Sequence, residues 1–281
     1  MDIGKLKTAF DKLENLDPTD ELVYEKAFFI FNSIGHLPVF IYPVEKRVEI
    51  FRTRTHESPE YFQNISDIEI TPRKSVKDFA RCNRPFQSIF YCSENRPTSF
   101  MELLEYWVET KNFGDKLYIT MGIWGNIKPM NLIIITTPDV NKRVSKFDKL
   151  HGKAYDEHLK NKSEEEQKFS ALFFDYMFEK FRKPAKNDLK TYIITSTYCN
   201  LALILANDRA DGISYPSVPF QGNGVNIALK EDYSKNHLKL SQAMWMEFEV
   251  TPTKENKHDF TESKSILTDK INQVNGTIQW E

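Results

Sequence analysis

The sequence predicts an α+β protein that combines helices with short strands. Apolar residues recur at helical spacing near the N-terminus and again between about residues 142 and 190. Short runs of β-branched and aromatic residues, bounded by proline, glycine or charged residues, occupy much of the remaining chain. With 281 residues, of which 40% are hydrophobic and 28% charged, the chain is long enough to bury a substantial core. We expect one main domain with additions.

Residues 1–47 are predicted to form a helical addition at the N-terminus. Apolar residues between Leu6 and Ile30 recur at roughly helical spacing, and the turn "LDPTD" around Asp17 and Pro18 separates two helices. The stretch lacks the charged-then-apolar pattern of a secretory signal, and charged residues interrupt it too often for a membrane span. We therefore expect a cytoplasmic protein that is not bound to a membrane.

The main domain is predicted to extend over residues 48–250 and to begin with strands. The β-rich runs are "LPVFIYP", just before this boundary, and then "KRVEIFRTR" and "QSIFYCS". Pro97, with Thr98 or Ser99, introduces a helix with an apolar face. That face carries Phe100, Leu103, Leu104 and Trp107. Glu102 lies on the opposite face, a position that is compatible with bulk solvent or with a cleft.

Residues from about 142 to 190 are predicted to form a helical insertion in that domain. Ser163 and Glu166 fit a capping box at the start of one of its helices. "TYIITSTYCNLALILAND" then predicts a strand followed by a buried helix or a second strand, and "DGISYPSV" and "GVNIALKED" predict two strands joined by the turn "FQGNG". A last strand is predicted at "AMWMEFEVTP", and residues 251–281 are predicted to be a polar, loosely attached tail.

Several functional classes receive no support from the sequence. The formal net charge of -2 and the lack of a basic tract disfavour nucleic-acid binding. The nucleotide-binding motifs GxxxxGK[ST] and GxGxxG and the hydrolase motifs HExxH and GxSxG do not occur. The histidines are scattered, and the three cysteines, without a CxxC, are predicted to be buried thiols. We expect no bound metal.

A set of polar residues remains, and its order along the chain is distinctive. The set comprises Arg52 or Arg54 in "FRTR", Arg81 and Asn83 in "RCN", Tyr91 in "FYCS", Glu102 in "FMELL", and Tyr215 and Ser217 in "DGISYPSV", ahead of the strand "GVNIAL". In this order and in these settings the residues resemble the RES domain, a family named for its Arg, Glu and Ser. The resemblance covers roughly Val48 to Leu229, in two blocks. The segment "RCNRPFQSIFY" departs from the family pattern because it lacks the glycine often found before the strand.

The resemblance implies a fold and a function that composition and spacing do not. The RES fold resembles that of the ADP-ribosyltransferase toxins, a split pair of β-sheets with surrounding helices around an NAD cleft. RES proteins are commonly toxins of bacterial toxin–antitoxin pairs that release nicotinamide from NAD⁺ by hydrolysis or phosphorolysis. We therefore expect NAD⁺ as substrate, water or inorganic phosphate as acceptor, and a separate antitoxin polypeptide as partner.

By this resemblance, Glu102, Arg81 and Tyr91 are the expected catalytic residues. A carboxylate opposes the positive charge that develops on the ribose when its bond to nicotinamide breaks, and Glu102 is the expected carboxylate. Glu105 is its direct competitor, because residues three apart lie on adjoining faces of a helix. The ring of Tyr91 is expected to pack against nicotinamide or a ribose.

The remaining matched residues are expected to bind the substrate. The planar forks of Arg81 and Arg52, with Arg54 as the competing choice, suit the pyrophosphate of the dinucleotide. Ser217, together with Asn83 and Tyr215, is expected to position the carboxamide or the ribose. Taken one at a time, these residues also fit surface ion pairs, a strand end and a turn.

Two other functions remain open from the sequence. The chain could transfer ADP-ribose to a protein side chain, a reaction reported for some RES members, or it could be a catalytically silent module that binds a nucleotide or protein through the same cleft. Release of nicotinamide separates an enzyme from a silent module, and label on protein identifies a transferase.

Overall fold

A computed structural model of the chain describes residues 1–184, 188–219 and 223–280, apart from the side chains of residues 105 and 106. Within these ranges the protein is α+β, with a mixed nine-stranded sheet and helices around it. The strands are β1 (Ile41–Val44), β2 (Glu49–His56), β3 (Ile89–Ser93), β4 (Lys116–Asn126), β5 (Met130–Ile134), β6 (Gly212–Pro216), β7 (Val225–Lys230), β8 (Leu238–Pro252), β9 (His258–Thr268), β10 (Ile271–Asn272) and β11 (Thr277–Ile278).

The large sheet has the strand order β1-β5-β6-β7-β3-β2-β4-β8-β9, and β10 pairs separately with β11. Adjacent strands in this sheet are antiparallel, except β5 and β6, which are parallel. At its centre, β2 and β3 pair only through Phe51 and Ser93, whereas β2 pairs with β4 along its whole length. The sheet therefore consists of two half-sheets, β1-β5-β6-β7-β3 and β2-β4-β8-β9, which meet at one residue pair.

The helices are α1 (Ile3–Glu14), α2 (Val23–Ser33), α3 (Ile65–Ile68), α4 (Arg96–Thr110), α5 (Lys146–Leu159), α6 (Glu164–Arg182), α7 (Leu189–Ala206) and α8 (Glu231–His237). The predicted apolar face of α4 packs against the half-sheet that contains β8, where Phe100 stacks on Phe248 at a centroid distance of 4.7 Å. Trp107 is buried in the same cluster. This packing fixes the opposite face of α4, which carries Glu102, beside the joint between the half-sheets.

Residues 142–190 include α5 and α6 and the first two residues of α7. These helices connect β5 to β6, which are parallel neighbours, and parallel strands need a long crossover connection of this kind. The capping box predicted at Ser163 is present, because its hydroxyl accepts from the backbone of Glu166 while the Glu166 carboxylate accepts from the backbone of Ser163.

The secondary-structure prediction for residues 191–208 was wrong. The stretch predicted as a strand followed by a helix or second strand is a single helix, α7. Asp188 begins it by accepting a hydrogen bond from the backbone of Thr191 at 3.1 Å. The helix is apolar and long enough to cross a membrane by composition alone, but 72% of its apolar window is buried inside the protein. Burial on all sides removes the periodicity that would have marked it as a helix.

The N-terminal segment contributes to the main sheet as well as to the helical layer. Leu6, Ala9 and Leu13 of α1 and Ala27 and Phe31 of α2 are buried in the main core. Strand β1 pairs with β5 in the register Ile41 with Ile133. Residues 41–44 thus belong to the sheet, although the boundary predicted from the sequence assigned them to the addition.

The C-terminal segment, predicted to be a loosely attached tail, is ordered into the sheet. Strand β9 pairs with β8 from Ala243–Thr268 to Pro252–His258. The indole Nε1 of Trp280 donates to the carbonyl oxygen of Phe62 over 2.7 Å. The polar composition of this segment follows from its position, because an edge strand is largely exposed and charged side chains there discourage pairing with other chains.

Candidate functional site

A pocket of about 190 Å³ opens at the joint between the two half-sheets. Beyond Phe51 and Ser93, strands β2 and β3 no longer pair, so side chains rather than backbone hydrogen bonds occupy the space between them. The described lining residues are Arg52, Thr53, Tyr91, Cys92, Ser93, Ser99, Glu102, Leu103, Tyr215 and Asn226. Ligand pockets usually measure roughly 300–1,000 Å³, so this one suits a ring-sized part of a larger ligand.

Glu102 is the acceptor at the centre of a hydrogen-bonded cluster in this pocket. The hydroxyl of Ser217 donates to its Oε1 over 2.6 Å, and Nδ2 of Asn226 donates to the same oxygen over 2.7 Å. The hydroxyl of Ser93 in turn donates to Oδ1 of Asn226 over 2.9 Å. Short bonds from neutral donors to a carboxylate are about twice as strong as neutral pairs and favour its charged form.

Local structure explains why residues so far apart in sequence meet here. Ser93 and Asn226 are directly paired across β3 and β7, and both side chains are buried. Ser217 follows the end of β6, where its backbone N–H donates to Gly224. The chain enters α4 three residues after β3 ends, and Asn95 caps the helix. The hydroxyls of Thr53 and Ser99 lie 2.7 Å apart and fasten α4 to β2.

Arg52 reaches into the gap between the half-sheets. Its guanidinium donates to the carbonyl oxygen of Tyr91 at 2.7 Å, to that of Glu69 at 3.3 Å and to the hydroxyl of Thr71 at 3.3 Å. It also lies 5.1 Å from the ring centre of Phe90. Among the described residues, no carboxylate lies within ion-pair distance of Arg52.

Burial, together with the neighbouring charge of Arg54, lowers the pKa of Arg52 to about 9. The guanidinium therefore remains charged at neutral pH. Its three acceptors are all neutral, so they solvate the charge without cancelling it. A buried cation without a matching anion beside a pocket favours an anionic ligand there.

Tyr91 supplies one wall of the pocket through its ring. Its hydroxyl donates to Oδ1 of Asn83 over 2.8 Å and accepts from the backbone N–H of Cys82 over 2.9 Å. Burial raises the pKa of Tyr91 well above its usual value. The hydroxyl is thus anchored to the turn at residues 82–83 and acts as a neutral group.

Tyr215 forms a second aromatic wall. It is buried on β6, and its ring centre lies 5.3 Å from that of Phe181 in α6. Burial raises the pKa of Tyr215 well above its usual value, and the nearby negative charge of Glu102 acts in the same direction. The pocket therefore combines one carboxylate, one buried cation and two rings.

Four of the predicted site residues lie outside this lining: Ser217, which reaches it through its bond to Glu102, Arg54, Arg81 and Asn83. Arg81 donates to the carbonyl oxygens of Lys180 at 2.9 Å and Lys183 at 2.6 Å, at the end of α6, and its guanidinium lies 5.4 Å from the ring centre of Tyr192. Asn83 supports the hydroxyl of Tyr91. In this structure Arg81 holds a helix end and Asn83 holds a wall of the pocket.

Arg54 and Glu105 were the sequence alternatives to Arg52 and Glu102, and the structure describes only the side chain of Arg54. Arg54, the alternative to Arg52, donates to the carbonyl of Glu69 and the hydroxyl of Thr71, both at 2.9 Å, and does not line the pocket. The side chain of Glu105 lies outside the described part of the chain, as do residues 220–222 of the predicted turn "FQGNG". Of the two arginines, Arg52 is therefore the one at the pocket.

Asn226, Ser93 and Thr53 were not among the residues expected at the site. Asn226 had one sequence signal, since the RES resemblance includes an Asn-containing strand after the serine motif, here "GVNIAL". Ser93 and Thr53 have none, because a hydroxyl in a strand is common and only the pairing of strands places them here.

No group of three or more His, Cys, Asp or Glu side chains that could hold a metal ion occurs in the described ranges. The three cysteines are buried and free. No protein-family model matches the chain, and no curated protein matches it either. The functional assignment therefore depends on the resemblance of the motifs and on the geometry of the pocket.

Proposed function

We propose that the chain is an NAD⁺-consuming enzyme of RES type that breaks the bond between nicotinamide and ribose. The observation that carries this proposal is the contact of Glu102 with Ser217 and Asn226. Residues matched to the family in two separate sequence blocks meet there in one pocket, next to the matched Arg52 and Tyr91.

The chemistry of the pocket supports this reaction. Departure of neutral nicotinamide leaves a positively charged, oxocarbenium-like ribose, and a fixed carboxylate stabilises that charge more in the transition state than in the ground state. Hydrogen bonds from Ser217 and Asn226 hold Glu102 in place before the reaction begins. Such preorganisation is usually the largest single contribution to catalysis.

Substrate binding in this proposal uses the remaining walls. The rings of Tyr91 and Tyr215 provide apolar surfaces for nicotinamide or ribose. The uncompensated charge of Arg52 draws the anionic part of the dinucleotide toward the joint. Arg81 acts from the end of α6, where it fixes the position of that helix beside Tyr215.

The two half-sheets support the finer fold assignment within this proposal. A split pair of sheets with a cleft at the split is the arrangement that the RES resemblance implies for an ADP-ribosyltransferase-like fold. Here β2 and β3 meet at one pair and diverge beside the pocket. We place the enzyme in the cytoplasm, where NAD⁺ is its substrate, and we expect a separate polypeptide to inhibit it.

The test is nicotinamide release from NAD⁺ by purified protein, with and without inorganic phosphate. Wild type is compared with Glu102→Gln, which keeps the shape but removes the charge, and with Glu109→Gln, an exposed position on the same helix outside the pocket lining. We expect Glu102→Gln to lose at least about 100-fold in kcat and Glu109→Gln to retain wild-type activity.

The possible outcomes separate the functions. Release that requires phosphate identifies a phosphorylase, and release in its absence identifies a glycohydrolase. Labelled ADP-ribose on protein identifies a transferase. If folded wild type releases no nicotinamide under any of these conditions, the enzyme assignment fails and the silent binding module becomes the better interpretation.

A further inference from the structure

A second, larger cleft of about 810 Å³ lies at the other end of β3. Ile89, the first residue of that strand, lines this cleft, whereas Ser93, the last, lines the pocket described above. The cleft is bounded by α2, by the turn at residues 84–88, by the end of α7 and by the end of β7. Its volume lies within the range of ligand sites.

An exposed aromatic side chain stands in a strained backbone conformation at the edge of this cleft. Phe86 has a φ of 61°, in the left-handed region that glycine adopts most readily. It follows Pro85 in a turn in which the N–H of Gln87 donates to the carbonyl oxygen of Arg84. A proline at the second position of a turn and a positive φ at the third are typical of type II, where the third residue is normally glycine or asparagine.

Phe86 gains little from folding that would offset this strain. Its side chain is 62% exposed, so most of its apolar surface stays in water. A large aromatic residue that is both strained and exposed is the kind of backbone outlier that occurs at ligand-binding sites. The turn therefore presents the ring to the cleft at a cost in stability.

The lining of the cleft includes a second ring with a cation over it. The guanidinium of Arg84 lies 5.1 Å from the ring centre of Tyr24 in α2. None of the carboxylates in the described residues forms an ion pair with Arg84. Arg84 is also exposed, so its charge is accessible from the cleft.

The charge of the cleft is positive. Its described lining includes three cations, Arg73, Arg84 and Lys230, and two carboxylates, Asp208 and Glu231. One of these carboxylates is engaged, because Glu231 pairs with Arg73 at 2.8 Å and also with Lys235. A further cation, Lys77, lies 5.2 Å from the ring centre of Phe86.

From these observations we propose that this cleft binds a small organic anion with a flat aromatic ring, of the nucleoside monophosphate class. The ring of the ligand stacks on Phe86 and Tyr24, and its anionic group is held by Arg84 and Lys77. Stacking on aromatic side chains and charge-assisted bonds from arginine are the physical basis of this recognition. The site is separate from the NAD⁺ pocket, so the inference does not depend on the proposed enzyme activity.

Isothermal titration of the full chain with adenosine monophosphate tests the proposal, with adenosine and inorganic phosphate as separate titrants. The variants are Phe86→Gly and Arg84→Gln, and the controls are Phe29→Ala and Arg47→Gln, at other exposed positions. We expect each cleft variant to weaken binding by about tenfold or more, and the controls to bind as wild type does. Adenosine alone and phosphate alone should bind more weakly than the monophosphate.

The variant Phe86→Gly is expected to fold, because the substitution relieves the backbone strain at position 86. Glycine adopts the positive φ at position 86 readily, so Phe86→Gly should melt at the same temperature as wild type or higher. The proposal is overturned if the monophosphate does not bind, or if adenosine or phosphate alone binds as tightly. It is also overturned if Ser217→Ala, in the other pocket, removes the binding that Phe86→Gly leaves intact.

Discussion

Asn226 is expected to be a positioning residue for Glu102, and its replacement gives the sharpest test of the proposed site. The bond from Asn226 Nδ2 to Glu102 Oε1 is 2.7 Å long and joins a buried amide to a carboxylate. Hydrogen bonds to charged groups contribute about 1.5–3 kcal/mol. If that hydrogen bond keeps the Glu102 carboxylate in the position that stabilises the transition state, Asn226→Ala should lower kcat by about 10- to 150-fold. KM should change little, because the lost interaction orients the carboxylate and does not bind the substrate.

Ser93 provides a graded comparison along the same chain of hydrogen bonds. Its hydroxyl donates to Asn226 Oδ1 over 2.9 Å and does not bond Glu102 directly. A neutral bond contributes roughly 0.5–1.5 kcal/mol, so Ser93→Ala should lower kcat by about 2- to 10-fold. The order of loss should be Glu102→Gln, then Asn226→Ala, then Ser93→Ala.

The pH dependence of Asn226→Asp distinguishes positioning from a merely structural effect. The new carboxyl group would lie beside Glu102, and two adjacent carboxylates cannot both be charged without a large penalty. We expect activity to fall as pH rises through the range in which the pair loses its shared proton, and wild type to lack this fall. Nicotinamide release between pH 5 and 8, with melting temperatures for each variant, provides the measurement. The reasoning is refuted if folded Asn226→Ala keeps kcat within threefold of wild type while Glu102→Gln is inactive.

Three further predictions concern stability. Arg52→Met should lower the free energy of unfolding by about 1–3 kcal/mol in urea titration, because the carbonyl oxygen of Tyr91 loses its donor while Glu69 and Thr71 keep Arg54; an unchanged midpoint would contradict this role. Burial lowers the pKa of His151, so protons bind the unfolded chain more tightly. The free energy of unfolding should therefore fall between pH 7 and 5 more steeply in wild type than in His151→Gln, and equal slopes would show that another group is responsible. Removing residues 253–281 should leave an insoluble or unfolded chain, because β8 would become a long open edge; a soluble, cooperatively melting 1–252 fragment would refute this.

The sequence predicted elements best where one face is buried and the other exposed. Helix α4 and the capping box at Ser163 follow from local patterns and match the structure. Helix α7 did not, because its buried surface runs around the whole helix and its β-branched residues imitate a strand. The prediction for the C-terminal strand β9 was wrong for the opposite reason. It is exposed on most of its surface, so its composition resembles that of a tail.

The site was predictable as a set of residues but not as a geometry. Motif order grouped Glu102 with Ser217, and the two side chains are hydrogen-bonded although they are 115 residues apart. It could not distinguish Arg81, which holds the end of α6, from Arg52, which lines the pocket, because both are arginines in or near core strands. That distinction depends on strand divergence and helix packing, which are long-range features. The contact of Asn226 with Glu102 was not predicted for the same reason, since cross-strand pairing with Ser93 places Asn226 at the site.

The weak joint between β2 and β3 explains why the pocket lies where it does. A continuous ladder would satisfy the backbone of both strands and leave no space between them. Here the ladder stops after Phe51 and Ser93, and the guanidinium of Arg52 donates instead to the carbonyl oxygen of Tyr91. One side chain thus stabilises the opened sheet and places a positive charge at the pocket. Because the same arginine serves both purposes, a variant that restores the fold without Arg52 should still lack the positive charge and bind an anionic ligand more weakly.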